Sequence, residues 1–86
     1  MNYYVYLLIC IQKNRSISYV GYTNDIIKRL NSHNKSKGAK FTKGRKWVVI
    51  YSKRYKSKSD AMKEEYKLKK NYKLRNKIKE DYLSKK

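Results

Sequence analysis

Hydrophobic residues along this chain of 86 residues are grouped in short runs that basic segments separate. Three runs are rich in aromatic and β-branched side chains, a composition typical of β-strands, and they cover residues 3–10, 18–22 and 47–52. The first run has no charged residue, which predicts a central strand buried on both faces. Residues 12–17 are mostly polar and predict the turn of a hairpin that pairs the first two strands.

A first helix is predicted directly after the second strand. Ile26, Ile27 and Leu30 recur at helical spacing and are expected to form its apolar stripe. Thr23 or Asn24 is the expected N-cap, because short polar side chains accept hydrogen bonds from the first free N–H groups of a helix.

The stretch from Tyr19 to Asn34 brings an aromatic hydroxyl, an arginine and a histidine to this strand-to-helix turn, and we interpret it as half of an active site. Arg29 and His33 are four residues apart, so they lie one above the other on one face of the helix. His33 is the only histidine in the chain. Gly21, which precedes the turn, is expected to let another backbone or a ligand approach closely.

Two further helices are predicted in the C-terminal half. The second is expected to begin near Ala61, behind capping side chains supplied by Ser57, Ser59 and Asp60. The third has its apolar positions at Leu74, Ile78 and Tyr82.

The second helix carries a carboxylate on its apolar face. The residues that share this face recur at three- and four-residue intervals and are Ala61, Met62, Glu65, Leu68 and Tyr72. A carboxylate turned toward the core needs a cation, which is either an arginine partner or a metal ion. Glu64 points about a quarter-turn away, toward solvent. Trp47, Met62 and Leu68 are expected to be core residues.

These elements predict an α+β fold in which helices flank a three-stranded antiparallel sheet. Eighty-six residues suffice for one small core and are too few for two, so residues 1–86 are expected to form a single domain. The sequence contains no internal repeat and no low-complexity segment beyond its lysine bias.

The charge balance predicts a polyanionic partner. Lys and Arg number 24 against 6 Asp and Glu, for a formal charge of +18. Nucleic acid is the expected partner, because the basic residues are spread over the whole chain and no apolar run approaches the roughly 20 residues that span a bilayer. Without a recognisable signal sequence, a cytoplasmic location and no membrane association are expected.

The cysteine and histidine content excludes two classes of small domain. A single cysteine, Cys10, cannot form a disulfide within the chain and is expected to be a buried strand residue. One cysteine and one histidine are also too few for a zinc finger.

A basic, glycine-containing segment at residues 35–46 is expected to lie along a phosphate backbone. Its cationic side chains, the predicted nucleic-acid contacts, are Lys35, Lys37, Lys40, Lys43, Arg45 and Lys46. No element that reads bases is recognisable, so selectivity for DNA structure or strandedness is expected, set by this segment or by a partner protein.

Five motifs in order resemble the GIY-YIG nuclease superfamily. They are Y-V-Y at Tyr4–Tyr6, Y-V-G at Tyr19–Gly21, Arg29 followed by H-N at His33–Asn34, G-A-K-F-T at Gly38–Thr42, and S-D-A-M-K-E-E at Ser59–Glu65. The chain is most similar to the small single-domain bacterial branch, which is similar to the catalytic subunit of the eukaryotic junction-cutting endonuclease. Tyr4 replaces the glycine of the first half-motif. The long connection from Tyr6 to Tyr19 suggests an enlarged or tilted hairpin loop.

The resemblance implies a role for each of five residues. Tyr6 would be the general base or would orient the attacking water, and Tyr19 would hold that water or a phosphate oxygen. Arg29 would bind the scissile phosphate, and His33 would assist the base or the leaving group. Glu65 would bind a single Mg²⁺ or Mn²⁺ ion.

The implied activity is endonucleolytic hydrolysis of single-stranded or branched DNA by a monomer or weak dimer. One carboxylate suffices for Mg²⁺, which keeps most of its waters. A phenol with a pKa of about 10 becomes a base at neutral pH only where nearby cations favour the phenolate. The alternatives are a non-catalytic basic nucleic-acid-binding protein, which leaves Glu65 unexplained, and a degenerate nuclease fold that serves as an adaptor.

Overall fold

The computed structural model describes residues 1–12, 15–35 and 46–85. These residues form three strands and three helices, namely β1 (Tyr3–Gln12), β2 (Arg15–Thr23), α1 (Ile26–Asn34), β3 (Val48–Tyr55), α2 (Lys58–Lys70) and α3 (Tyr72–Ser84). The predicted α+β class and the number of strands and helices are confirmed.

The uncharged strand β1 is the centre of the sheet, as its composition predicts. The strand order is β2-β1-β3, and both neighbours pair antiparallel with β1. A register shift between Leu7 and Leu8 marks a bulge in the pairing with β3.

The predicted turn over residues 12–17 is wrong. Pairing of β1 with β2 confirms the predicted hairpin and continues to Gln12 opposite Arg15, so both strands are longer than predicted. Alternation explains the difference, because Ile17 and Tyr19 turn toward the core while Ser16 and Ser18 supply the alternating polar positions. The mean polarity of this segment conceals a half-buried strand.

Two predicted helix starts also need correction. The N-cap of α1 is Asp25, which accepts a hydrogen bond from the N–H of Lys28 at 3.0 Å, and not Thr23 or Asn24. The second helix begins at Lys58, three residues before Ala61, with Ser57 as its cap. A serine ahead of several good helix formers is a sufficient start signal.

The two faces of the sheet are covered by different helices. On one face Tyr6, Leu8 and Cys10 pack with Trp47, and Leu30 of α1 lies against them. On the other, Val5, Leu7 and Val20 pack with Ala61 and Leu68 of α2, and Ile78 of α3 joins this cluster. Cys10, Trp47 and Leu68 are buried as predicted.

Three residues predicted to face the core are exposed. Met62 is 49% exposed and Ile27 is 75% exposed, because each is about 100° around its helix from a neighbour that already faces the sheet. Tyr72 does not extend the apolar face of α2, because that helix ends at Lys70 and Asn71 caps a new helix.

The third helix is tied to the rest of the fold by Arg75. Its guanidinium donates to the carbonyl of Leu68 at 3.2 Å and to the hydroxyl of Ser18 at 3.5 Å. Among the described residues, no helix has the length and apolar character needed to cross a membrane.

Candidate active site

The site begins at a side chain that lies across a glycine. Tyr6 on β1 is paired with Gly21 on β2. A Cβ atom at position 21 would lie 2.6 Å from Cζ of Tyr6, so only glycine leaves room for the phenol there. The close approach predicted for Gly21 is therefore made by a side chain of the same protein.

The hydroxyl of Tyr6 contacts two side chains of α1. Its Oη lies 3.0 Å from Nε2 of His33, and Nε of Arg29 donates to the same oxygen at 3.5 Å. Tyr6 and His33 are both almost completely buried. The four-residue spacing of Arg29 and His33 thus directs both side chains to one phenolic oxygen.

The electrostatics of this cluster fix the protonation of its members. Burial raises the pKa of Tyr6, and this effect outweighs the opposing hydrogen bond and positive charge of Arg29. Burial, followed by the charge of Arg29, lowers the pKa of His33. At neutral pH Tyr6 is therefore a phenol and His33 a neutral imidazole with one acceptor nitrogen. The expectation that nearby cations favour the phenolate is not met in the protein alone.

Tyr19 completes the wall of the cluster. Its ring meets the ring of His33 edge to face, with centroids 5.2 Å apart, and lies 6.4 Å from the ring of Trp47. The hydrogen bond with Tyr6 is the largest cause that raises the pKa of Arg29, and a hydrogen bond with Tyr19 adds to it. Arg29 is thus held as a cation between two phenols.

Glu65 of α2 acts on this cluster through its charge. Its side chain is 17% exposed, and its negative charge is one of the causes that raise the pKa of Tyr6. Its carboxylate pairs with Lys69 one turn along the helix, at 3.5 Å. The neighbouring Glu64 is more exposed, as predicted, and pairs with Lys67. Of the other four predicted site residues, Arg29 and His33 contact the hydroxyl of Tyr6, and the charges of Tyr19 and Glu65 raise its pKa.

The sequence patterns did not reveal a positioning contact beside His33. The side-chain amide of Asn34 donates to the carbonyl of Trp47 at 3.1 Å, and its oxygen accepts from the N–H of Trp47. This two-way bond fixes the end of α1, and so His33, to the residue before β3. An asparagine after the histidine was visible in the sequence, but its partner was not.

The predicted basic contacts fall mainly outside the described residues. Lys37, Lys40, Lys43 and Arg45 lie there, and the two that are described, Lys35 and Lys46, are exposed.

Comparison with known proteins places this geometry in a family. The GIY-YIG catalytic domain matches residues 2–79. The chain belongs to the GIY-YIG family. It therefore carries a catalytic domain of the nuclease type, in agreement with the resemblance seen in its motifs.

Several bacterial UPF0213 proteins are similar to this chain over most of its length. The UPF0213 protein YazA of Bacillus subtilis is 43% identical over 86 residues, covering 99% of this chain and 81% of the relative. The UPF0213 protein OB0043 of Oceanobacillus iheyensis is 47% identical over 68 residues, covering 78% and 76%. The solution NMR structure of the UPF0213 protein BH0048 from Bacillus halodurans is 37% identical, with a TM-score of 0.49 over 100% of this chain and 86% of that one.

Proposed function

We propose that the protein is a metal-dependent endonuclease that hydrolyses phosphodiester bonds in single-stranded or branched DNA. The observation that carries the proposal is the Tyr6 hydroxyl, buried and held between Nε2 of His33 and Nε of Arg29. A structural tyrosine needs one such partner, whereas two partners of different character polarise the O–H bond. The formal charge of +18 supplies the attraction for a polyanionic substrate.

The Tyr6 hydroxyl passes a proton from the attacking water to His33. With the Tyr6 proton directed at Nε2 of the neutral imidazole, the remaining lone pair of Oη accepts a hydrogen bond from water. As the water oxygen bonds to phosphorus, its proton moves to Oη and the Tyr6 proton moves to Nε2. The P–O3′ bond breaks, and the 3′ oxygen leaves with the electron pair and is protonated by solvent. The products are a 5′-phosphate and a 3′-hydroxyl.

Arg29 stabilises the charge that develops on the phosphate. Its guanidinium has several donors, so it can keep the bond to Tyr6 while others contact a non-bridging oxygen. Tyr19, hydrogen-bonded to Arg29, holds the guanidinium in place. Its hydroxyl would bind the attacking water or a phosphate oxygen. Preorganised donors of this kind contribute roughly 10²- to 10³-fold to rate each.

Glu65 is the residue that would hold the divalent ion. Within the described ranges, no group of three or more His, Cys, Asp or Glu residues could hold a metal ion, so Glu65 would bind it as a lone protein carboxylate. A single partly buried carboxylate suits Mg²⁺ or Mn²⁺, which accept one or two carboxylates and fill their remaining positions with water and phosphate oxygens. Such an ion supplies Lewis-acid stabilisation of the phosphate when bound.

The two other hypotheses make different predictions for the same residues. A non-catalytic nucleic-acid-binding protein has no need of a buried phenol bridged by arginine and histidine. A degenerate nuclease that serves as an adaptor would keep the fold of the domain but would not cleave any substrate.

A substrate panel separates the three hypotheses. Labelled single-stranded, duplex and forked DNA are incubated with the protein and Mg²⁺ or Mn²⁺, alongside Glu65→Ala and Arg29→Ala. The nuclease proposal expects cleavage that Glu65→Ala abolishes while DNA binding persists. Absence of cleavage with every substrate and both metals would overturn it and favour the other two.

Salt dependence tests the proposed contacts of residues 35–46 with phosphates. Several neutralised phosphates release their counterions, so binding is expected to fall steeply as salt rises. Replacing Lys35 and Lys46 by alanine is expected to flatten the slope of log K against log salt by about 1 for each phosphate that is no longer neutralised. A salt response that is flat from the start contradicts these contacts.

A further inference from the structure

The surface of α2 next to Glu65 carries an exposed aromatic residue among cations. On a helix, residues three and four apart are neighbours. Met62 and Lys69 are each neighbours of Glu65 by this rule, and each is also a neighbour of Tyr66. Glu65, Met62, Lys69 and Tyr66 therefore form one continuous diamond on the helix surface.

The outer members of this diamond are open to solvent. Tyr66 is 60% exposed and Met62 is 49% exposed, although both are large apolar side chains. The ammonium of Lys70 lies over the ring of Tyr66, 5.4 Å from its centroid. Apolar side chains that remain exposed beside cations, one and three residues from a candidate catalytic carboxylate, match the composition of surfaces that bind unpaired bases.

We propose that Tyr66, with Met62, Lys69 and Lys70, is a platform on which the enzyme stacks an unpaired base of its substrate next to the phosphodiester that it cuts. We call these four residues the α2 platform. The proposal rests on the proposed nuclease function, because Glu65 locates the cleaved bond. It narrows the substrate class to a strand that is single-stranded at the cut.

Physical chemistry distinguishes such a strand from duplex DNA. Lysines alone bind the phosphates of either form, since both carry the same charged groups. A tyrosine ring gains free energy only from a base whose face is free, and bases inside a duplex already stack on their neighbours. The charge of the platform therefore gives affinity, and its ring gives the preference for an unpaired strand.

Binding without metal tests the platform apart from cleavage. A fluorescein-labelled single-stranded oligonucleotide and a duplex of the same length are titrated in EDTA with the unmodified protein and with Tyr66→Ala. Loss of one stacked base is expected to weaken single-strand binding roughly tenfold and duplex binding less than about twofold. Tyr66→Phe keeps the ring and is expected to bind like the unmodified protein.

Tyr72 supplies the matched control. It is 65% exposed and has a cation over its ring, Arg75 at 5.7 Å, but it lies on α3 and outside the diamond. Tyr72→Ala is expected to change single-strand binding by less than about twofold. An equal loss from Tyr66→Ala on single-stranded and duplex DNA, or no loss on either, overturns the platform.

A base analogue reports the stacking itself. The fluorescence of 2-aminopurine in the single strand is expected to be quenched by the unmodified protein and by Tyr66→Phe, but not by Tyr66→Ala. Quenching that persists in Tyr66→Ala contradicts the proposal. These readouts involve no cleavage, so a protein that binds in this way and cuts no DNA would refute the nuclease proposal and leave the platform standing.

Discussion

The two helices that supply charged side chains to the candidate site hold them in different ways. On α1, His33 is buried and bonded to Tyr6, and Arg29 is bonded to the same oxygen. On α2, Glu65 forms a partly exposed ion pair with Lys69. The hydrogen bonds on α1 fix the positions of Arg29 and His33. On α2, another cation can replace Lys69 beside the Glu65 carboxylate at low cost in free energy.

This difference matches the proposed division of labour. A group that moves protons gains from being held in one place, since small displacements reduce the rate steeply. A group that binds an ion and faces the substrate strand has to remain accessible. We call Arg29 and His33, with Tyr6, the α1 side of the site, and Glu65 with Lys69 the α2 side. Substitutions on the α1 side should therefore reduce both catalysis and stability, whereas substitutions on the α2 side should affect catalysis alone.

Alanine substitutions at His33 and Glu65 should show the largest difference between the two helices. Both are expected to abolish cleavage, but only His33→Ala should lower the free energy of unfolding, by about 2–4 kcal/mol, because it leaves a cavity in the core. Urea unfolding followed by circular dichroism measures the difference. Glu64→Ala, one residue from Glu65 and also ion-paired, is the control that should change neither property. Equal destabilisation by His33→Ala and Glu65→Ala would contradict the division.

Gly21→Ala should damage the α1 side through Tyr6. The added methyl group overlaps the phenol, so Tyr6 has to move, at a cost of about 1–3 kcal/mol in unfolding free energy. Cleavage should fall together with stability. In a Tyr6→Ala background the same substitution should cost little, and a double-mutant cycle measures this coupling. Additive costs would show that Tyr6 does not occupy the space over Gly21.

The pH dependence should originate on the α1 side. The pKa of His33 is lowered from 6.5, so the folded protein holds fewer protons on this residue than the unfolded chain does. The contribution of neutral His33 to the free energy of unfolding, and the rate of cleavage, should therefore both be at their maximum at pH 7 and above. They should decline as the pH falls below 6.5 toward the lowered pKa. His33→Gln should remove this part of the stability profile, and an unchanged profile would contradict the assignment.

The ion pair on α2 should have the smallest effect. Lys69→Met removes a cation that competes for the Glu65 carboxylate, so Mn²⁺ should bind more tightly by up to about fivefold, the equivalent of 1 kcal/mol. Electron paramagnetic resonance of free Mn²⁺ measures this without any DNA. Lys67→Met, which removes the partner of Glu64, is the matched control and should have no effect. Weaker binding in Lys69→Met would show that Lys69 is not a competitor.

Sequence patterns predicted the parts of this structure that depend on local spacing. The four-residue interval of Arg29 and His33 set their common face, and the uncharged run of β1 set its central position. The inward turn of Glu65 followed from its spacing with Ala61 and Leu68. Each of these depends only on the geometry of one helix or one strand.

The features that were missed depend on contacts between elements. The space over Gly21 is filled by a side chain from the neighbouring strand, and register decides which one. Asn34 acts through the backbone of Trp47, thirteen positions along the chain. The exposure of Met62 depends on how α2 rests on the sheet, which spacing within the helix does not specify.

The rate of DNA cleavage by Tyr6→Phe tests the central claim most directly. This substitution keeps the ring over Gly21 and removes only the oxygen that joins His33 to Arg29. We predict a loss of rate of roughly 100-fold or more with the fold retained, because proton transfer through the phenol is removed. A folded Tyr6→Phe protein that cuts single-stranded or forked DNA at the unmodified rate would contradict the account.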